Sequence, residues 1–367
     1  MSATRSTYVY VGTYTANLAH VVGKGQGIHV FKFDQTNGAL EPVGVAGGVL
    51  NPSFLTVDPR GRYLYCVNET KETAGEPVGG VSAFAIDPAT GELTFLNRQS
   101  SHGGDPCHIT VDATGSVVVV ANHENGSVAA YLIKPDGSLG PASDVVQHIG
   151  SSVDPVNQKG PHAHSVNIDR SNRFALVCDK GIDKVMVYRI DRKPGQLVPN
   201  SPPFVIARPG SAPRHLAFHP SGRYAFVINE IASTLTSYAF DGETGALAEI
   251  ETVSTLPSDY LEKNSTADIR VHPNGKFVYG SNRGHNSIAS FAIDEATGRL
   301  TILGYTSTQG ATPRNFNLDP SGAFLLAANQ NSDTIVAFAV DPKTGALTPT
   351  GAVSRVPTPV CIHFVER

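Results

Sequence analysis

Phe54-Leu-Thr-Val-Asp-Pro-Arg-Gly-Arg-Tyr-Leu-Tyr-Cys-Val-Asn68 and Leu216-Ala-Phe-His-Pro-Ser-Gly-Arg-Tyr-Ala-Phe-Val-Ile-Asn229 are two copies of one phrase. Each reads as an apolar strand ending in Asp or His, a Pro-x-Gly turn and a second apolar strand ending in Asn. The turn-entry residues recur as Asp58, Asp112, Asp169, His219, His272 and Asp319, spaced 54, 57, 50, 53 and 47 apart, which makes six full copies. A fixed period of this size marks a repeat architecture. After each phrase comes a hairpin signal: Thr36-Asn-Gly-Ala-Leu40, Thr90-Gly-Glu-Leu93, Thr244-Gly-Ala-Leu247, Thr297-Gly-Arg-Leu300 and Thr344-Gly-Ala-Leu347, with looser versions at Asp136-Gly-Ser-Leu139 and Lys193-Pro-Gly-Gln-Leu197. Each turn joins two runs rich in Val, Phe, Tyr, Ile and Ala, and its glycine supplies the positive φ that a tight turn needs.

Counting turns gives seven units of about 50 residues with four short strands each, the pattern of a β-propeller blade. The expected fold is all-β: a seven-bladed propeller of four-stranded antiparallel blades. The first copy lacks its opening strand, because Tyr8-Val-Tyr-Val11 corresponds to a second strand, while Pro359-Val-Cys-Ile-His-Phe-Val365 reads as a first strand with nothing after it. Pairing these ends closes the ring and removes its exposed edges. Although 367 residues ordinarily suggest two or three domains, the repeat leaves no boundary, and one domain over residues 1–367 is expected.

Composition agrees with a turn-rich folded chain: 36 glycines, 25 prolines, and only 16% charged residues. No tryptophan is present, which excludes the tryptophan-aspartate repeat. No apolar run reaches the roughly 18 residues of a membrane span, and the N-terminal stretch lacks a basic segment followed by a long apolar one. A cytoplasmic protein is expected. Cys66, Cys107, Cys178 and Cys361 stand far apart, fitting reduced, buried thiols better than disulfides or a zinc site. A net charge of −4 gives no footprint for nucleic acid.

In a four-stranded antiparallel blade the start of the first strand and the end of the second meet at one mouth of the central channel. At the residue after the second-strand Asn, or its equivalent, the blades supply Tyr14, Glu69, His123, Lys180, Glu230, Arg283 and Gln330. Five residues before the turn entry, blades two to seven supply Ser53, Cys107, His164, Arg214, Ala267 and Arg314. Scaffold columns such as Asp-Pro and Thr-Gly repeat from blade to blade, whereas these columns differ, as a site grafted onto a scaffold does; the competing reading is a solvated rim free to drift. Lys180, Arg214, Arg283 and Arg314 face only Glu69 and Glu230 within these columns. That local cationic surplus points to a small anionic molecule, gripped by guanidinium forks. Three insertions, Lys71 to Gly80, Ser151 to Gly160 and Ser258 to Asn264, fall on the connections at the same mouth, and long loops on one face mark a binding face.

Val11-Gly-Thr-Tyr-Thr15 with Gly27-Ile-His-Val-Phe31, Pro213-Arg-His215, Asn229-Glu230 and Ser281-Asn-Arg283 together resemble the seven-bladed propeller lactonases, a family that includes propeller-type 6-phosphogluconolactonases and fungal carboxymuconate lactonising enzymes. The resemblance spans essentially the whole chain. It implies a catalytic set of one His, two Arg and one Glu at the channel mouth, onto which His164, Arg214, Glu230 and Arg283 map. Glu69, His123, Lys180, Arg314 and Tyr14 are the expected substrate-binding residues. The residue types suit hydrolysis of an anionic sugar-acid lactone by water, with Glu230 or His164 as general base and arginines at the developing oxyanion. No Gly-x-Ser-x-Gly elbow is present, which disfavours a serine nucleophile.

Two alternatives stay open. One is a carboxymuconate cyclase using the same groups, and the other a non-catalytic binding propeller, which would need aromatic anchors at its mouth where Tyr14 is the one aromatic. His162 and His164 alternate on a strand like a metal pair, yet no third ligand is identifiable, so neither metal nor cofactor is expected. Gly23-Lys-Gly-Gln-Gly27 reads as a flexible strand connection, not a phosphate loop, and the Cys107 thiol as unreactive. The expected partner is a small anionic lactone, with no nucleic acid or membrane, on a monomer or small homo-oligomer.

Overall fold

The structure, a computed structural model, describes residues 6–71 and 79–367. Seven antiparallel sheets of four strands each follow one another in chain order. Six are built from consecutive strands. The seventh has the order Pro359–Glu366, Thr7–Thr13, Gly27–Phe33, Leu40–Gly47, so the two ends of the chain share one blade. The register there runs Val9 to Phe364, Tyr10 to His363 and Val11 to Ile362, as the truncated first copy of the repeat requires.

The four strands of a blade differ by where they lie. The second strand of blade three, Val117–Asn122, is Val-Val-Val-Val-Ala-Asn and buried at every position, because it is covered on both faces by neighbouring blades, which calls for a continuous apolar run. The outermost strand of blade two, Leu93–Ser100, has no fully buried residue and mixes partly buried with exposed positions, because one of its edges and part of its surface face solvent. Apolar clusters accordingly lie between blades: Phe31, Phe33 and Phe324 join blade one to blade seven.

The repeated residues hold the face opposite the mouth. Asp112 Oδ1 accepts the backbone N–H groups of Ser116 and Val117 at 2.6 and 2.8 Å, and Asp319 Oδ1 accepts that of Phe324 at 2.7 Å. Where the turn entry is histidine, Nδ1 does the same for Ser221 and Asn274, while Nε2 of His219 and His272 donates to Gly275 O and Gly322 O in the next blade at 2.8 and 2.9 Å. The Thr-Gly glycines serve twice. Gly91 has φ +75°, and a Cβ there would also sit 2.5 Å from the Tyr8 ring of the preceding blade. Tyr10 and Tyr65 donate their hydroxyls to the hairpins of following blades, at Gly91 O and Gly137 O.

Candidate active site

A repeated backbone bond aims the residues of the mouth. The N–H of Tyr14, Glu69, His123, Lys180, Glu230 and Gln330 donates to the carbonyl of Thr358, Asn51, Asp105, His162, Ala212 and Thr312 respectively, at 2.8 to 3.2 Å. Five of those acceptor residues, Asn51, Asp105, Ala212, Thr312 and Thr358, have left-handed φ between 40° and 61°. Such a residue turns the incoming chain into the first strand. The equivalent side chains are thereby presented at one end of the channel, and only their identities vary.

There Glu69, His123, Lys180 and Glu230 line a cavity of about 280 Å³, from which Gln330 stands aside. Eight of the nine expected site residues, His164, Arg214, Glu230, Arg283, Glu69, His123, Lys180 and Arg314, lie on its wall, with Cys107. Tyr14 does not. It is fully buried behind the wall, donating its hydroxyl to Glu69 Oε1 at 2.9 Å, with the Arg314 guanidinium 5.5 Å over its ring. Its place is underneath Glu69 and Arg314, since the aromatic ring is the group at this column most readily buried. Ser53 and Ala267 do not line the cavity either; Ala267 contributes its carbonyl, which accepts from Arg214 NH1 at 2.6 Å.

Glu230 is the hub of the cationic side. Its Oε1 lies 2.7 Å from Lys180 Nζ, and its Oε2 lies 2.9 Å from Arg214 Nε and 3.5 Å from Arg283 NH2. Burial alone would raise its carboxyl, but Lys180, Arg283 and Arg214 outweigh burial and hold it well below the usual range. Arg283 also donates from NH2 to Thr266 O at 2.7 Å. Arg314 differs from these three: among the described residues its guanidinium makes no hydrogen bond, and its nearest carboxylate, Glu69 Oε1, is 3.9 Å away. His164 is buried, and its Nδ1 has no hydrogen-bond partner among the described residues. Burial first and the Arg214 charge second push it well below the ordinary histidine value, so the imidazole is neutral.

Across the cavity is an acidic wall. Glu69 is joined by Asp105 and Glu124, and Lys71 Nζ lies 2.9 Å from Glu124 Oε2 and 3.7 Å from Asp105 Oδ2. Burial, reinforced by Glu69, raises the Asp105 carboxyl to about 6. Ligand atoms of Asp105, His123 and Glu124 lie within 4.8 Å of one another, so these three side chains together offer a metal-binding geometry. The ammonium of Lys71 already compensates both carboxylates, and an ion there would have to displace it. His162, by contrast, is held away from the cavity wall, its Nδ1 2.8 Å from His123 O and its ring stacked on that of His123.

Three features escaped the sequence reading. His20, with Leu18 and Ala19, reaches the cavity from the segment between Thr7–Thr13 and Gly27–Phe33. His20 Nε2 lies 3.4 Å from the Tyr14 hydroxyl, and burial followed by the charges of Arg314, Arg283 and Arg214 pulls its pKa down to about 4. The glycines of this segment reflect close packing, not flexibility: a Cβ on Gly23 would lie 2.4 Å from Ala16 O, and one on Gly25 2.1 Å from Thr13 Oγ1. Asp105 stands in a third column, two residues before the Cys107 and Arg214 column. Glu124 follows His123 by one residue. Of the three insertions, those at Ser151 to Gly160 and Ser258 to Asn264 stay outside the cavity; in Lys71 to Gly80, Lys71 lines it, and residues 72–78 lie outside the described residues.

Comparison with known proteins bears on this geometry. The profile of the family described as "Lactonase, 7-bladed beta-propeller" matches residues 8–364. The chain is similar to the 6-phosphogluconolactonase of Bacillus subtilis, 35% identical over 359 residues that cover 98% of each protein. Among solved structures it is similar to a putative 6-phosphogluconolactonase from Bacteroides fragilis, with TM-score 0.91, 35% identity and coverage of 100% of this chain and 99% of that one. It is equally similar to the periplasmic gluconolactonase of Pseudomonas aeruginosa, with TM-score 0.91, 34% identity and coverage of 98% and 99%. The chain belongs to the seven-bladed β-propeller lactonase family.

Proposed function

We propose that this lactonase hydrolyses an anionic, polyhydroxylated sugar-acid lactone of the 6-phosphogluconolactone kind by direct attack of water at the channel mouth. The observation that carries the reading is the unequal engagement of the cations. Lys180, Arg214 and Arg283 are tied to Glu230, whereas Arg314 lines the cavity without a hydrogen bond among the described residues. Arg314 is therefore the fork left for the substrate's phosphate or carboxylate.

The role of base falls to His164 rather than Glu230. Both groups are weakened as proton acceptors, Glu230 by its cations and His164 by burial and Arg214. The Glu230 oxygens are already occupied, whereas the neutral His164 ring makes no side-chain hydrogen bond among the described residues and can take a proton from water as its oxygen attacks the lactone carbonyl carbon. Arg214 and Arg283 then face the carbonyl oxygen as it becomes negative. Collapse of the tetrahedral species breaks the ring C–O bond, and the proton held by His164 neutralises the departing alkoxide. The acidic wall favours the hydrolase over the muconate cyclase: Glu69, Asp105 and Glu124 can accept hydrogen bonds from sugar hydroxyls, which a muconate polycarboxylate lacks. Tyr14 acts through Glu69. A cytoplasmic location is part of the proposal and is supported by the four buried, unpaired thiols; no helix of the described residues is long and apolar enough to cross a membrane, and the similar Pseudomonas protein is a periplasmic gluconolactonase.

A screen of phosphorylated and unphosphorylated aldonolactones beside a carboxymuconate tests the proposal. Turnover of the aldonolactones with none of the muconate is expected. Muconate cyclisation without lactone opening would reverse the assignment, and no turnover of either would leave a binding propeller.

A further inference from the structure

Beneath the cavity wall, Arg214 rests on a buried chain of polar groups. His215 is 4% exposed and Asp268 fully buried. His215 Nδ1 lies 2.9 Å from Asp268 Oδ1, and His215 Nε2 lies 3.1 Å from Arg214 NH1. We propose that Asp268 and His215 form a positioning relay that fixes the tautomer of His215 and through it holds Arg214 with one guanidinium edge open to the cavity. The proposal rests on the lactonase reading for its kinetic consequence, not for its geometry.

The tautomer follows from counting donors. Asp268 Oδ2 receives Asn315 Nδ2 at 2.6 Å and Arg270 NH2 at 3.0 Å, and Oδ1 also receives the Ile269 N–H at 2.9 Å. Surrounded by donors, Asp268 is a carboxylate and can only accept, so His215 Nδ1 carries the hydrogen. Its Nε2 then presents a lone pair, which is what the N–H of Arg214 NH1 requires. The second NH1 hydrogen goes to Ala267 O, and Nε goes to Glu230 Oε2. Three of the five guanidinium donors are thus used, and NH2 has no partner among the described residues although Arg214 lines the cavity. The His215 ring itself is wedged, 5.3 Å from His164 and from His108 and 5.7 Å from Phe54. Burial and the Arg214 and Arg270 charges outweigh Asp268 and pull its pKa down to about 4, so it stays neutral near pH 7. The opposite tautomer would set an N–H of His215 against an N–H of Arg214, turning the open edge away from the place where the oxyanion forms.

His215 does not line the cavity, so its substitution reaches turnover through its neighbours, Arg214 by the hydrogen bond and His164 by ring packing, and a variant that restores only the acceptor separates the two. The test compares three variants whose fold is first checked by thermal melting and circular dichroism. His215→Leu keeps volume but removes the acceptor, and kcat on the best aldonolactone is expected to fall about tenfold or more with KM changed less than threefold, because an oxyanion donor is misplaced. His215→Gln restores an acceptor near the Nε2 position and is expected to recover most of that loss. In Asp268→Asn, Arg270 and Asn315 claim the amide oxygen, the amide N–H₂ faces His215, and the tautomer inverts. ¹⁵N spectra of the histidine rings read this directly: neutral Nδ1–H at His215 in the wild type, Nε2–H in Asp268→Asn. Wild-type kcat in a folded His215→Leu, or an Nε2–H tautomer in the wild type, would overturn the relay. If no lactone is turned over the catalytic reading fails, while the ¹⁵N result still decides the relay.

Discussion

Lys180 Nζ and Glu230 Oε1 lie 2.7 Å apart at the mouth of the channel, and this ion pair marks Glu230 as the anchor of the site. A carboxylate that neutralises one cation on Oε1 and two more on Oε2 sets where the arginines stand. It is poorly suited to taking a proton.

Glu230→Gln and His164→Gln should therefore fail in different ways. Removing the Glu230 charge leaves three cations uncompensated, so kcat should fall by about 10²-fold together with a lower melting temperature. His164→Gln removes the proposed base and should lower kcat by about 10² or more, with little loss of stability. Pre-steady-state turnover and melting curves on both variants separate the roles; a stable Glu230→Gln whose activity alone is lost would return the base role to Glu230.

Acid stability follows from the buried histidines. Burial is the largest cause of the downward shifts of His108, His123, His164 and His215. A histidine depressed in the folded state remains neutral there while the unfolded chain takes up its proton near about pH 6.5. The folded state thus binds fewer protons, and stability is full above about pH 6.5 and falls as pH drops below it, by up to about 1.4 kcal/mol per pH unit for each such histidine. Denaturant midpoints at pH 7.5 and 5.5 should show a marked loss at the lower pH. Equal midpoints would mean that these rings titrate in the folded protein as freely as in the unfolded one.

Ring closure rests on the strand Pro359–Glu366, paired with Thr7–Thr13. Deleting the last ten residues strips blade one of its innermost strand, uncovers Val9 and Val11, and should lower the melting temperature of the whole propeller. A truncated chain that melts at the wild-type temperature would show that the end is a tail.

Chelation tests the acidic wall. With Lys71 compensating Asp105 and Glu124, exhaustive dialysis against EDTA should leave kcat unchanged. Loss of activity restored by a single divalent ion would put that ion in place of the ammonium, on Asp105, His123 and Glu124.

The repeat made the fold legible because Asp-Pro, Thr-Gly and the strand-ending Asn answer one geometric demand in each blade. The mouth was legible for the same reason: register aligns Glu69, His123, Lys180, Glu230 and Arg283, and the variation among them singles them out. Register does not report how deep a side chain lies, and Tyr14, in the same column, turned inward under Glu69. Nor does it reveal contacts between blades. The Asp268 to His215 bond spans 53 residues, and each partner reads alone as an ordinary polar residue beside the site column. His20 escaped because its segment has no counterpart in the repeat against which to align it, and Asp105 because its column, Asn51, Asp105, His162, Ala212 and Thr312, was visible only once the backbone bonds to the mouth residues were drawn.

Arg314 carries the central claim, that the cavity is built for an anionic lactone. The most direct measurement is the ratio of kcat/KM for 6-phosphogluconolactone to that for unphosphorylated gluconolactone, in the wild type and in Arg314→Ala. A guanidinium that grips the phosphate equally in ground and transition states should give the wild type a preference of about 10²-fold. In Arg314→Ala that preference should collapse through a raised KM, with kcat nearly unchanged. A wild-type ratio near one, or a preference that survives the loss of Arg314, would contradict the account.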